Sequence, residues 1–234
     1  MMRKFKKIKD IFKACRVYCT LIFEMVKNSR KLNDNLENNY KICRDICKRI
    51  IKKAKIKCSV YGENNIPEEN CLIISNHISF FDIILFVSQI ENPIGFAYAS
   101  NLLKIPFLKK FINSIGGVSI HKDIKKIKQS ISNITNYLKE SRLVIFPEGG
   151  CSYAIDKVKK FQRGCFISLK TLNIPIVPVF LKVEELGKIG RWVMPIDKID
   201  IIVGKPFKSD SKMTSKELAE YAYDTVVNLK NCYN

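Results

Sequence analysis

The stretch Cys71-Leu72-Ile73-Ile74-Ser75-Asn76-His77-Ile78-Ser79-Phe80-Phe81-Asp82 sets the fold class. Its first five residues form an apolar run of strand length, and the polar Asn-His that follows ends it. Residues 80–89 then carry a helical pattern, which puts His77 in a strand-to-helix turn and Asp82 in the first helical turn. A strand that feeds directly into a helix is the repeating unit of an α/β sheet.

The same texture continues on both sides. Strands are expected at 56–61, 71–75, 95–99, 118–121, 142–146, 176–181 and 199–203. Helical patterns fall between or after them at 80–89, 108–115, 124–139, 160–171 and 215–231. This alternation predicts an α/β domain over residues 58–234, with a mixed, partly parallel sheet flanked by helices.

Residues 1–57 read differently, as two basic amphipathic helices. In the first, Phe5, Ile8, Phe12, Cys15, Cys19, Ile22 and Val26 step by three and four, with lysines and arginines on the flanks. In the second, Leu36, Tyr40, Cys43, Cys47, Ile50 and Ala54 repeat those steps, with Asn33 or Asp34 as the expected cap. This quarter of the chain holds 18 basic and 5 acidic residues and contributes most of the net charge of +19. A basic excess so localised points to an anionic partner, a bilayer or a nucleic acid. The aromatic residues sit on the apolar stripes rather than in stacking positions, so an anionic membrane surface is expected and nucleic acid is not. The longest apolar stretch, 17–26, is half a spanning length and contains Glu24, so the segment should lie on the membrane as a monotopic or peripheral anchor.

Nine cysteines accompany only two histidines, without a Cys-x-x-Cys pair or a histidine cluster, so no metal site is expected. The cysteines read as small packing residues of a reducing compartment.

His77 and Asp82 have the chemistry of a base and its orienting carboxylate: one ring nitrogen is held so that the other can take a proton. Ser79-x-x-Asp82 is equally a capping-box pattern, which would account for Asp82 without catalysis. Phe146-Pro147-Glu148-Gly149-Gly150 follows another strand as a forced turn, with Glu148 expected exposed at its apex. Three further segments are less specific alone: Gly116-Gly117 leading to His121-Lys122, the basic run Lys159-Lys160-Phe161-Gln162-Arg163-Gly164, and Ile174 to Val179, an apolar strand carrying Pro175 and Pro178.

In this order and spacing the set resembles the glycerolipid acyltransferase family, the lysophosphatidic acid acyltransferases and their relatives. Asn76, His77 and Asp82 meet the family's Asn-His-x4-Asp block, and Phe146 to Gly149 its Phe-Pro-Glu-Gly block. Phe161 to Phe166, Ile174 to Val179 and Gly204 to Pro206 are similar to its later segments, so the resemblance covers about residues 58–207. It implies transfer of an acyl chain from acyl-CoA or acyl carrier protein to a lysophospholipid hydroxyl, most simply that of 1-acylglycerol-3-phosphate, without a metal or redox cofactor, at the cytoplasmic face of a membrane. His77 would be the base and Asp82 its partner; Asn76 and Gly149 would serve as oxyanion or positioning groups; Lys122, Glu148, Gly149 and Arg163 would hold the acceptor. Direct transfer needs no acyl-enzyme, so Cys151 is not expected to act as a nucleophile despite its place beside the turn. The chain departs from the pattern at Lys122, where the family's block ends in Arg, at Gly150-Cys151-Ser152, where many members have Thr-Arg-Ser, and at Ala99, where many have Lys. The acceptor's identity is therefore open; the competing class is a nucleic-acid-binding protein using the basic N-terminal helices, and a catalytically silent lipid-binding relative is a second alternative.

Overall fold

The computed structural model describes residues 2–28, 31–33, 35–104, 106–121, 123–155, 157–170, 172–189, 192–210 and 212–233. In chain order the elements are α1 (Met2–Asn28), α2 (Leu36–Ala54), β1 (Lys57–Tyr61), β2 (Leu72–Ser75), α3 (Phe81–Gln89), β3 (Gly95–Ala99) and α4 (Pro106–Ile115). Then follow β4 (Gly117–Ile120), α5 (Ile124–Leu138), β5 (Leu143–Ile145), β6 (Ile176–Ile189), β7 (Trp192–Val203) and α6 (Ser215–Cys232). The seven strands form one sheet in the order β1-β7-β6-β2-β5-β3-β4. Five neighbours, β6 through β4, run parallel; β7 returns antiparallel to β6, and β1 pairs parallel with β7. The sequence predicts a mixed, partly parallel sheet flanked by helices; the observed sheet is mixed and mostly parallel.

The central strands are apolar on both faces because helices cover both. Ile73, Val144, Val177, Val179, Ile199 and Ile201 point into a core shared with α2, α3 and α4. Their alternate neighbours Leu72, Ile74, Leu143, Ile145, Ile176 and Ile202 face a second core under α5 and α6. The period-two switch of a strand thus assigns successive residues to different helical layers.

α2 belongs to the first core. Of its stripe, Tyr40, Cys43, Cys47, Ile50 and Ala54 are buried together with Ile46, while Leu36 at the start is 40% exposed; Tyr40 Oη donates to the Ile90 carbonyl at 3.2 Å. Its cap is Asn35, whose side chain accepts from Asn38 N–H at 2.9 Å. Asn33 instead braces that turn, accepting from Asn35 N–H at 2.9 Å, and Asp34 lies outside the described residues. α1 is arranged the other way. Its inward side carries Val17, Leu21, Thr20, Glu24 and Asn28, and the buried Glu24 carboxylate accepts from Arg49 of α2 at 2.9 and 3.2 Å. Arg16 also donates to the Lys53 carbonyl at 2.6 Å. With its polar contacts turned inward, the stripe residues Phe12 (70% exposed), Cys15, Cys19, Ile22 and Val26 (64%) face outward, joined by Phe23 (61%). Phe5 and Ile8 continue the helix, but their side chains lie outside those described. No described helix is long and apolar enough to cross a membrane.

Residues 160–171 form two short 3-10 turns, Arg163–Phe166 and Ser168–Lys170, instead of the expected helix. Gly164 weakens a helix there, and a three-residue repeat aligns the buried Phe166 and Leu169 towards the second core.

Candidate active site

β2 and β5 are adjacent and parallel, so the loops leaving their carboxyl ends emerge side by side at one edge of the sheet. That is the edge where open α/β sheets place their chemistry. The first loop carries residues 76–80 and the second begins at Phe146.

Asn76 steps out of β2 while staying paired to the next strand. Its Oδ1 accepts from Leu181 N–H at 2.7 Å, and its Nδ2 donates to the Leu181 carbonyl at 3.1 Å. The amide is buried and hydrogen-bonded at both its oxygen and its nitrogen.

Asp82 is fully buried in the first turn of α3. One oxygen, Oδ2, meets His77 Nδ1 at 2.8 Å and accepts from the N–H groups of Ile78 at 2.7 Å and Ser79 at 3.0 Å. The capping and catalytic readings of Asp82 therefore describe one carboxylate. Ser79 Oγ accepts from Phe81 N–H at 3.1 Å rather than from Asp82, so the capping box is only half formed. With Nδ1–H directed at Asp82, the Nε2 lone pair is the one left for chemistry.

The His77 ring stacks on Phe146 with centroids 4.0 Å apart and planes 12° from parallel. Burial pulls the imidazolium down, but the Asp82 carboxylate on Nδ1 and the Cys151 sulphur near Nε2 outweigh it and push His77 up to about 10.

The second loop is bound to the first. Glu148 Oε1 accepts from the His77 N–H at 3.2 Å, Ser152 N–H donates to the His77 carbonyl at 2.7 Å, and Tyr153 N–H donates to the Ile78 carbonyl at 3.1 Å. Glu148 is 6% exposed, which corrects the expectation of an exposed apex: the turn bends inward and its carboxylate bridges the loops. Burial pushes Glu148 up to about 7, against the opposing pull of the His77 and Lys159 backbone N–H groups. Its Oε2 is buried without a hydrogen-bond partner among the described residues.

Gly149 has φ 72°, and a side chain there would meet the Gln162 amide at 2.2 Å. Its own N–H closes the turn onto the Phe146 carbonyl at 3.2 Å, so that donor is engaged and not presented to the opening. Gln162 N–H donates to the Pro147 carbonyl at 2.9 Å, docking the basic segment on this turn and leaving the next residue, Arg163, exposed beside it. β4 brings His121 to the same edge of the sheet, two strands from β5; Lys122, the next residue, lies outside the described residues.

Two residues without a role in the sequence reading join the site. Cys151 Sγ lies 3.1 Å from His77 Nε2. Lys159 Nζ donates to the carbonyls of Cys151 at 2.8 Å and Gly150 at 3.4 Å. The signals were a thiol three residues beyond Glu148 and a lysine opening the basic run.

The Acyltransferase family model matches residues 57–182, which include both loops. A 1-acyl-sn-glycerol-3-phosphate acyltransferase of Pseudomonas aeruginosa is 25% identical over 162 residues, covering 68% of this chain and 62% of that protein. One from Saccharomyces cerevisiae is 33% identical over 176 residues, covering 70% and 55%. The chain thus spans between half and two thirds of the length of these curated relatives. The crystal structure of the 1-acyl-sn-glycerophosphate (LPA) acyltransferase PlsC from Thermotoga maritima matches with a TM-score of 0.77 at 21% identity, over 99% of this chain and 98% of that one, so the two share a fold. With the family model spanning more than half its length and both motif loops, the chain belongs to the Acyltransferase family.

Proposed function

We propose that this chain transfers a fatty acyl group from a thioester, acyl-CoA or acyl carrier protein, to the free hydroxyl of 1-acylglycerol-3-phosphate, giving phosphatidic acid. The observation that carries the reading is His77, held at Nδ1 by buried Asp82 at 2.8 Å and presenting Nε2 at the carboxyl edge of the sheet. In that tautomer Nε2 takes the hydroxyl proton as the oxygen attacks the acyl carbonyl, and Asp82 stabilises the imidazolium that results. The proton then passes to the departing sulphur. The Phe146 stack and the Asn76–Leu181 pair hold the ring and its loop in position; Gly149 shapes the turn. Acyl exchange of this kind calls on no metal or redox group.

Glu148, Lys122 and Arg163 are the proposed acceptor contacts, with Lys159 added from its place beside Cys151. Cationic side chains suit the phosphate of the acceptor. The presence of Cys151 where many members have Arg supports a second acceptor class of lower negative charge.

The substrate with one acyl chain resides in a bilayer. We place the protein on the membrane's cytoplasmic face, held by the outward stripe of α1 and its basic flanks. The support for this is that the stripe is exposed while the opposite side of the same helix packs on α2. The test is to assay the purified chain with palmitoyl-CoA and palmitoyl-acyl carrier protein against lysophosphatidic acid and lysophosphatidylcholine. Phosphatidic acid formation supports the reading; acylation of lysophosphatidylcholine alone replaces the acceptor; no acyl transfer with any pair overturns it.

A further inference from the structure

β6 does not stop where the sheet does. Its last partner on the β2 side is Val179, and Asn76 bonds Leu181 just beyond. The strand then runs on to Ile189, paired with the start of β7. β1 joins β7 only from Lys198, so the pairs from Glu185↔Ile196 to Ile189↔Trp192 form a two-stranded ribbon of about 15 Å with no further strand beside it among the described residues. Because β6 is parallel to β2, the ribbon leaves the sheet at its carboxyl edge, which also carries the His77 loop.

A bulge aims the ribbon. Val183 pairs with Ile199 but Glu185 with Ile196, so β7 spends an extra residue there, and Asp197 in that step has φ 65°. A bulge bends a strand pair and tightens its twist. Lys13 of α1 donates to Asp197 Oδ1 at 3.4 Å, and α1 touches both strands. The ribbon therefore stands beside the helix whose apolar stripe faces outward.

Composition changes along its length. Glu184, Glu185 and Asp197 stand at the base, where Lys198 pairs with Glu184 at 3.3 Å. Beyond them, residues 186–196 include Leu186, Ile189, Trp192, Val193, Met194 and Ile196, with Lys188 and Arg191 and no acidic residue. By register and the two-residue period of a strand, Ile189, Trp192, Met194 and Ile196 fall on one face. A tryptophan among aliphatic residues, with two cations and no carboxylate, matches the headgroup region of an anionic leaflet. It stands at the edge that a bilayer-borne substrate has to reach.

We propose that the outer β6–β7 ribbon is a second membrane contact, which sets Trp192 in the headgroup region of an anionic bilayer beside α1; the inference rests on the membrane attachment proposed above and not on the choice of acceptor. A single helix lying on a surface is free to roll about its own axis. A contact off that axis stops the roll and fixes which way the carboxyl edge, with His77, faces the lipid. The ribbon's open strand edges carry N–H and C=O groups that hydrocarbon cannot satisfy, so the contact is shallow.

Trp192 is the chain's single tryptophan, so its fluorescence reports on this place alone. The experiment titrates the full-length protein with phosphatidylglycerol vesicles and follows emission, with sedimentation of the same samples to measure binding. It is repeated with lipids brominated near the headgroup or near the chain end. The expected result is a move to shorter wavelength that tracks sedimentation, with the shallow bromines quenching about twofold more than the deep ones. Trp192→Ser should weaken vesicle binding about tenfold and Trp192→Phe much less. If Trp192→Ser lowers the melting temperature, quenching of the wild-type protein decides. Sedimentation without any change in emission or quenching overturns the ribbon contact and leaves the α1 anchor standing. Stronger quenching by the deep bromines overturns the headgroup placement. A shift that appears without lipid and grows with protein concentration assigns the ribbon to a second copy of the chain and overturns the proposal. No sedimentation of the wild-type protein overturns both the contact and the attachment on which it rests.

Discussion

Asn76 and Leu181, 105 residues apart, exchange two hydrogen bonds: the Asn76 side-chain amide donates to and accepts from the same backbone unit of β6. The amide takes over the role of a strand where β2 ends, so the loop carrying His77 leaves the sheet at a fixed angle. Asn76→Ala would strand a buried N–H and a buried carbonyl, at a cost of about 2–4 kcal/mol. Turnover should fall with it, since the next residue is the proposed base. Thermal melts and kcat on one preparation check this, and an unchanged melting temperature would show that the pair is dispensable.

Asp82→Asn should reduce kcat about 10³- to 10⁴-fold, because an amide cannot balance the imidazolium and can favour the wrong tautomer. It should also destabilise, since Oδ2 serves two backbone N–H groups as well as His77. His77→Ala should lose as much turnover with less loss of stability. The comparison separates the carboxylate's two duties: equal unfolding costs in both variants would mean that the ring, not the carboxylate, holds the turn.

The pH response runs in opposite directions for stability and activity. Glu148 is raised from 4.5 to about 7 and His77 from 6.5 to about 10, so the folded chain binds more protons than the unfolded chain across both windows. Both contributions to stability are complete below the unfolded values and are lost as pH rises through the folded ones. Melting temperature should therefore decline from about pH 5 to 10. Turnover should climb as His77 loses its proton. Glu148→Gln keeps an oxygen for the His77 N–H and should flatten the lower window, gaining at most about 3 kcal/mol over wild type near pH 8 and little near pH 5. A difference independent of pH would rule out Glu148 as the titrating group.

Phe12→Glu combined with Phe23→Glu should leave stability within about 0.5 kcal/mol, since both rings are exposed. Binding to phosphatidylglycerol vesicles should fall tenfold or more, on the order of one to two buried aromatic side chains. This pair is a cleaner probe than removing residues 1–57, which would strip Tyr40, Ile46 and Ile50 from the core. Undiminished vesicle binding would put the membrane contact elsewhere.

Arg163→Ala, Lys159→Ala and Lys122→Ala should each raise KM for lysophosphatidic acid, with an effect of about 1.5–3 kcal/mol where the contact is desolvated. The same changes should leave KM for lysophosphatidylcholine nearly unmoved if the phosphate monoester is what they hold. Uniform effects on both acceptors would point to the shared glycerol or acyl chain.

Much of this arrangement is legible in the residues because a sheet buried on both faces leaves nearly continuous apolar runs, as in 71–75 and 176–181. The outer half of the β6–β7 hairpin is not. Glu184, Glu185, Gly187 and Lys188 show no strand pattern, and the pairing of 185–189 with 192–196 is set by the partner strand. His77 and Asp82 can be paired from the sequence because they lie five residues apart across one strand-to-helix turn. The inward turn of Glu148 cannot, since Pro-Glu-Gly-Gly looks the same whether its carboxylate faces water or a neighbouring loop. Only the adjacency of β2 and β5 decides it. The contact of Cys151 with His77 is not legible for the same reason: its partner lies 74 residues earlier in the chain.

The bonds between those two loops also govern how the gene can change. His77 N–H on Glu148, Ser152 N–H on His77 and Tyr153 N–H on Ile78 form a ladder with fixed rungs. Adding or deleting one residue between 146 and 153 would shift every rung and turn the Cys151 side chain away from the ring. Single substitutions at exposed positions such as Gly150 leave the rungs aligned, and Gly150 has open space where a side chain would go. Exchange of side chains is therefore open to this loop, whereas changes of length are closed to it.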